Sequence, residues 1–209
     1  MLNFTDLTGL ASVASASAAS LLLLPGIARP STMLRTCLSK SHLAILMGAV
    51  FAVMLIPFGG MPFAAYVRGL TGDLSITTLV LLWCALLRPW CACVTFEAKY
   101  RIALLILIAL AALALYPMAL GVGAYDPYPL GYGNLQFFVA LLLLALAAWF
   151  RKFVLIAVCI ALATLAWAVG WYESNNLWDY LLDPFIAIYA LLSIIVYWMK
   201  ALLKLQDRI

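Results

Sequence analysis

The sequence predicts an all-α fold, a polytopic bundle of about seven transmembrane helices. Apolar residues make up 68% of the 209 residues and charged residues only 10%, whereas a soluble domain is nearer half apolar and a quarter charged. Nearly uncharged stretches of about 20 residues, the length that spans roughly 30 Å of hydrocarbon, recur along the whole chain. These stretches do not alternate between apolar and polar residues as the strands of a transmembrane barrel do.

The first span is expected from Leu7 to Ala28. No basic residue precedes it, which favours a retained span over a removable signal peptide. Residues 11–20 are almost entirely alanine and serine, and small residues at four-residue spacing let helix backbones approach closely in lipid. We therefore expect this helix to pack tightly against another helix, either in the same chain or in a partner.

Six further spans follow, separated by short polar or glycine-containing connections. They are expected at Leu43–Phe58, from after Asp73 to Arg88-Pro89 or as far as Val94, and at Ile102–Gly121, Leu135–Phe150, Phe153–Tyr172 and Pro184–Leu203. No repeat of fixed period and no hydrophilic linker divides the chain. Residues 1–209 are therefore predicted to form a single transmembrane domain.

The basic residues predict the orientation of these spans. Alternate connections, beginning with the one between the first and second spans, and the C-terminal tail together hold eleven of the twelve Lys and Arg residues. Only Arg68 falls on the opposite side. Because cytoplasmic loops carry the excess of Lys and Arg, the N-terminus is predicted outside and the C-terminus in the cytoplasm.

Two aspartates precede expected helix starts. In Asp183-Pro184 the carboxylate suits an N-cap and the proline suits the first helical position. Gly72-Asp73 is followed by the third span in a similar way. We interpret both aspartates as structural caps.

The predicted outer loops concentrate aromatic and acidic side chains that are candidates for ligand binding. These are Tyr125, Asp126, Tyr128, Glu173, Trp178 and Asp179. Aromatic rings stack on sugars and carboxylates accept their hydrogen bonds, so this composition suits a site for a glycan or a lipid headgroup. Tyr and Trp also line membrane interfaces when nothing binds, and both interpretations stay open.

Arg68 is the only basic side chain predicted on the outer face. It is either an ion-pair partner for the outer acids or a ligand for phosphate, since a guanidinium matches phosphate with two hydrogen bonds. The stretch that begins at Arg68, Arg-Gly-Leu-Thr-Gly-Asp-Leu-Ser, resembles a stretch in the membrane domains of lipoteichoic-acid-synthase-type phosphotransferases. The resemblance is confined to this short stretch. It implies a membrane module that works beside an envelope enzyme.

Catalytic, metal and cofactor motifs are missing from the sequence. No GxSxG, HExxH or glycine-rich phosphate loop occurs, so no catalytic residue is assigned and no cofactor is expected. His42 is the only histidine, and no cysteine–histidine cluster has the spacing of a metal site. No charge falls in the central turns of the spans, which disfavours a proton-driven transporter.

These observations favour a small multi-pass membrane protein that acts as a non-catalytic subunit of an envelope complex, with a bacterial inner membrane as its expected location. Its expected partners are membrane lipids and a membrane protein, and nucleic acid is not expected. The alternative is a membrane enzyme or lipid-handling protein that acts on a lipid-linked or glycan substrate at the outer face, through the candidate residues given above.

Overall fold

The computed structural model describes residues 4–28, 40–87 and 98–206. Over these residues the chain is mostly helical, which confirms the all-α class. The helices are α1 (Phe4–Ala28), α2 (Lys40–Leu55), α3 (Phe63–Thr71), α4 (Ile76–Leu87), α5 (Ala98–Ala119), α6 (Leu135–Phe150), α7 (Val154–Ala168), α8 (Leu177–Leu181) and α9 (Pro184–Gln206). Two two-residue strands, β1 (Pro57–Phe58) and β2 (Met61–Pro62), and one 3-10 helix, Tyr128–Gly131, complete the described elements.

The described helices differ in their capacity to cross a bilayer. One helical stretch, Lys99–Ala119, is long and apolar enough to do so by length and composition, and five other apolar helical stretches have 10–17 residues. A 16-residue helix rises about 24 Å at 1.5 Å per residue, which is less than the roughly 30 Å of the hydrocarbon core. The expected number of spans therefore rests on the sequence rather than on the helix lengths.

The chain divides into two compact units. The first contains Met1–Leu74, Leu79–Thr95 and Ala168–Ser174, and the second contains Ser75–Thr78, Phe96–Trp167 and Asn175–Ile209. The division falls inside α4, whose first turn belongs to the second unit.

In the first unit, α1 packs against α2 and α3. Leu10 and Ala14 of α1 form a small core with Met54 of α2 and Ala64 of α3. Ala18 and Ala19 have no exposed surface. The small residues of α1 therefore allow close packing, as expected, and helices of the same chain pack against this helix.

The second expected span ends early because a hairpin follows it. Gly59 and Gly60 both have positive φ, +62° and +96°, which residues with a side chain rarely adopt. They turn β1 onto β2. The hydroxyl of Tyr66 in α3 donates a hydrogen bond to the carbonyl of Phe58 at 2.9 Å. The hairpin is therefore held against the short helix α3, which the sequence reasoning did not foresee.

In the second unit, α9 packs against α5, and α6 and α7 are joined by a tight turn. The side chain of Asn134 caps α6 by accepting from the backbone N–H groups of Gln136 and Phe137. At the other end of α6, Lys152 adopts a φ of 62° and the N–H of Phe153 donates to the carbonyl of Ala148 at 2.8 Å. This pattern closes a helix and reverses the chain, so the expected boundary between two helices at residues 151–152 is confirmed.

Candidate functional site

Arg68 forms a bidentate ion pair with Asp73. Its Nε and Nη2 atoms donate to the two carboxylate oxygens of Asp73 at 2.6 and 2.9 Å. The N–H of Gly72 donates to the Arg68 carbonyl at 2.8 Å, and Gly72 has a φ of 70°. This closure of α3 turns the chain so that Asp73 reaches back to the guanidinium.

Two further carboxylates from distant parts of the first unit approach the same guanidinium. Nη1 of Arg68 lies 3.6 Å from Asp6 of α1, and Nη2 lies 3.4 Å from Glu173. The guanidinium also lies against the backbone of Gly9, where a Cβ atom would be only 2.7 Å from Arg68 Cζ. Gly9 therefore leaves the space that lets Arg68 join α1 to the segment before α4.

The charge balance around Arg68 favours an ion-pair role over phosphate binding. One cation faces three carboxylates, so the formal local charge is negative and repels an anion. The hydrogen bond with Asp73 and the nearby carboxylates raise the pKa of Arg68 above its usual value, although burial opposes this. The guanidinium therefore remains charged, its Nε/Nη2 edge is occupied by Asp73, and Asp6 and Glu173 lie near Nη1 and Nη2.

The segment that carries Glu173 is anchored to α1. The indole N–H of Trp171 donates to the hydroxyl of Ser12 at 3.1 Å, and the hydroxyl of Thr8 donates to the Trp171 carbonyl. The hydroxyl of buried Tyr172 donates to the carbonyl of Leu74 at 2.7 Å. These contacts fix the backbone on both sides of the Arg68 ion pairs.

Other candidate residues meet in the second unit, where residues 126–134 contact residues 175–182. Asn176 is completely buried. Its side-chain oxygen Oδ1 caps α8 by accepting from the backbone N–H of Trp178. Its side-chain nitrogen Nδ2 donates to the backbone carbonyl of Tyr128 at 3.0 Å. Gly131 makes room for it, since a Cβ atom there would lie 1.7 Å from Asn176 Oδ1.

Tyr128, Trp178 and Asp179 strengthen this junction. The hydroxyl of Tyr128 lies 3.2 Å from both oxygens of Asp179. The Trp178 indole donates to the Pro127 carbonyl at 3.1 Å, and its ring lies 4.6 Å from that of Phe137. Burial, followed by the charge of Asp179, raises the pKa of Tyr128, so its hydroxyl stays protonated as the donor.

Tyr125 and Asp126 remain at the surface. Tyr125 is 60% exposed, and the Asp126 carboxylate accepts from the Tyr128 N–H at 2.9 Å in a local turn. The structure therefore joins Arg68 to Glu173 in the first unit, and Tyr128, Trp178 and Asp179 to one another in the second.

Sequence reasoning missed the part played by Asp183. Its carboxylate is 4% exposed, and one oxygen, Oδ2, accepts from the Ser75 N–H at 2.9 Å, the Ser75 hydroxyl at 2.7 Å and the Thr78 hydroxyl. The other oxygen accepts from the Ile186 N–H at 2.9 Å, which confirms Asp183 as the cap of α9. The same carboxylate therefore also binds the start of α4.

The expectation that Asp73 caps α4 is wrong. Ser75 immediately precedes this helix, and its hydroxyl oxygen accepts from the Thr78 N–H at 3.2 Å. Asp73 instead pairs with Arg68. The sequence signal for the true cap was Ser75 itself, a residue type that is favoured at the N-cap, immediately before an apolar run.

A cavity of about 260 Å³ lies inside the second unit, among α5, α6 and α7. Its lining is apolar apart from Thr77 and includes Trp178, Leu181 and Leu182 from the segment of α8. The candidate residue Trp178 is therefore part of this cavity as well as of the loop junction. Among the described residues, no group of three His, Cys, Asp or Glu side chains is placed to hold a metal ion.

Comparison of the chain with family models, curated proteins and solved structures finds no match.

The first prediction concerns Arg68. Replacing Arg68 with Ala leaves three carboxylates facing one another without their cation, and hydrogen bonds to a charged group are worth about 1.5–3 kcal/mol each. We expect Arg68→Ala to lower the free energy of unfolding in detergent by at least about 2 kcal/mol. Arg68→Lys should restore only part of this loss, because an ammonium group lacks the planar fork that fits Asp73.

The control for Arg68 is Lys200→Ala, which removes a cation from an exposed position on α9 and should change stability by less than about 0.5 kcal/mol. Equal stability of the Arg68→Ala and Lys200→Ala proteins would contradict a structural role for the ion pairs.

The second prediction concerns Asp183. In Asp183→Asn, the new amide N–H groups face the donors of Ser75, Thr78 or Ile186, so at least one hydrogen bond becomes a donor–donor contact in a buried place. We expect a loss of about 3 kcal/mol or more in the free energy of unfolding. Asp126→Asn is the matched control, because an asparagine at this exposed turn still accepts from Tyr128. A similar small effect of both substitutions would show that the Asp183 carboxylate is dispensable.

Proposed function

We propose that the chain is a multi-pass membrane protein, with about seven spans, that serves as a non-catalytic subunit of an envelope complex in a bacterial inner membrane. The observation that carries this proposal is that the candidate polar side chains form hydrogen bonds and ion pairs with one another or with neighbouring residues. Arg68 donates two hydrogen bonds to the Asp73 carboxylate, and the Asp179 carboxylate accepts one from the Tyr128 hydroxyl. These side chains stabilise the loops, which suits a structural component better than a catalyst.

Membrane embedding is supported by the surface of the helices as well as by composition. Large apolar side chains remain exposed along α5, α6, α7 and α9, and α6 alone exposes Leu142, Leu143 and Trp149 by 58%, 61% and 58%. In water such surface is costly, whereas in lipid it meets hydrocarbon. Helices of 15 and 16 residues, such as α7 and α6, span when the bilayer thins locally or flanking residues extend to the interface.

The orientation with the N-terminus outside is supported by the contacts of the first unit. Asp6 near the start of α1, Arg68 after the second expected span and Glu173 after the sixth meet in one ion-pair cluster. With alternating spans, these three positions belong to the same side of the membrane. The eleven basic residues of the other side then face the cytoplasm.

The second candidate function is lipid handling at the outer face. The apolar cavity among α5, α6 and α7 favours it, because such a space accommodates a hydrocarbon chain without polar partners. The two candidates differ in whether the chain needs a protein partner.

The third prediction tests the orientation. Single cysteines introduced as Tyr125→Cys, Asn175→Cys or Arg151→Cys into a variant without its five native cysteines should react differently with an impermeant thiol reagent applied to intact cells. The first two should be labelled, and the third only after the membrane is permeabilised. Labelling at 151 but not at 125 and 175 would reverse the orientation. Equal labelling of all three without permeabilisation would argue against a membrane-embedded bundle.

The fourth prediction tests the subunit role. The tagged chain, expressed at native level and purified in mild detergent, should retain one other membrane protein at a fixed stoichiometric ratio. An unrelated multi-pass protein with the same tag and expression level is the control for nonspecific capture. Purification of the chain alone, or the same protein captured by the control, would count against the subunit role and leave lipid handling as the better account.

A further inference from the structure

We infer that the cavity of the second unit is a binding site for one hydrocarbon chain of a membrane lipid. The inference rests on the proposed membrane embedding but not on the proposed subunit role.

Each of the three helices presents one regular face to the cavity. The lining residues of α5 are at positions 104, 107, 108 and 111, those of α6 at 137, 140, 141 and 144, and those of α7 at 156, 159 and 160. Spacings of three and four residues place side chains on a single helix face. The cavity is therefore formed by continuous apolar faces of the bundle. From Phe137 to Leu144, α6 rises about 10 Å, which makes the space long enough for a segment of an extended chain.

The chemistry of the lining selects an apolar occupant. No charged side chain lines the cavity, and its one hydroxyl-bearing residue is Thr77. A buried water needs two to four polar partners, and apolar cavities of about 150 Å³ stay dry and bind small hydrocarbons such as benzene. At about 260 Å³ this cavity is larger. If it stays empty, its walls lose the dispersion contacts that a filled space provides.

The two possible apolar occupants differ in width. With its side chains a helix is about 10 Å across. A linear hydrocarbon chain is thin enough to follow the three helix faces.

The position of the opening indicates where the chain enters. Trp178 lines the cavity beside Phe137, the lining residue nearest the start of α6, and Trp178 is fixed there by its hydrogen bond to Pro127. Ala140 is exposed and Leu144 is 37% exposed, although both line the cavity. The opening is therefore on the α6 side, among side chains such as Leu143 that face the surroundings. A lipid chain enters sideways from the bilayer, past α6.

Two kinds of membrane lipid carry such a chain, glycerophospholipids with fatty acyl chains and polyprenyl phosphates with isoprenoid chains. The cavity recognises the hydrocarbon that they share. Native mass spectrometry of the protein distinguishes them by mass, and either one supports the inference.

The experiment compares substitutions that fill the cavity with substitutions of neighbours that point away from it. Ala111→Phe on α5 and Ala140→Phe on α6 put a ring into the space, while Leu110→Phe and Leu142→Phe add a ring at positions that are 61% and 58% exposed and do not line the cavity. All proteins are extracted from membranes, purified in the same detergent and analysed for lipid that remains bound. Thermal unfolding of each variant verifies folding, and the two filling variants on different helices guard against one that fails to fold.

We expect the wild type and both control variants to retain about one lipid per chain. At least one of the two cavity-filling variants, Ala111→Phe or Ala140→Phe, should fold and retain about tenfold less lipid, which corresponds to an affinity lower by about one order of magnitude. Retention of lipid by folded filling variants at the wild-type level would overturn the inference, as would a wild-type protein that carries only detergent in the cavity. Partner content is measured on the same samples. Loss of a partner with lipid retained would count against the subunit role alone, whereas loss of lipid with the partner retained would count against this site alone.

Discussion

The carboxylate of Asp183 connects elements that are more than one hundred residues apart. Through it the first turn of α4 and the first turn of α9 share one buried acceptor, with Ser75 and Thr78 on one side and Ile186 on the other. Helix starts carry unsatisfied N–H groups and a partial positive charge, so a carboxylate there is stabilised by both. The location of α9 in turn fixes α5, which packs against it and forms one wall of the cavity. The architecture of the second unit therefore depends on this one side chain.

The need to pair every buried polar group also explains the contacts between the loops of the second unit. An apolar bundle provides few polar groups, and each buried one must find a partner inside the chain, because leaving it unpaired costs more than an ordinary hydrogen bond gains. In the described part of the chain, every buried side-chain nitrogen or oxygen has a partner. Asn176 illustrates how this is achieved, since one amide both caps α8 and binds the Tyr128 carbonyl. Gly131 serves the same contact by having no side chain in the way.

The sequence predicted the parts of the fold that depend on neighbouring residues. The all-α class, the start of α6 at Leu135, the start of α9 at Pro184 and the turn at residues 151–152 all follow from apolar runs and local capping signals. The short helices α3 and α8 did not stand out, because five to nine residues give too little periodicity to separate a helix from a loop. The cap of α4 was misassigned for a different reason. Asp73 and Ser75 both suit a helix start, and the choice is made by Arg68, which engages Asp73, and by Asp183, which engages Ser75.

The candidate site was predictable as a set of residues but not as a set of contacts. Composition identified Arg68, Glu173, Tyr128 and Asp179, yet no local pattern indicates that Arg68 meets Glu173 or that Tyr128 meets Asp179. The cavity was equally hidden, because a lining face at spacings of three and four residues looks the same as a face packed against another helix. What separates the two is the size of the opposing side chains, and alanines at positions 111 and 140 leave space where larger residues would close it. Because Trp178 is held by Pro127 and Phe137, the proposed lipid chain would exchange on the α6 side, where lining residues are exposed. In the second unit, the loop contacts therefore hold Trp178 in place, whereas α6 leaves the cavity-lining residues Ala140 and Leu144 exposed.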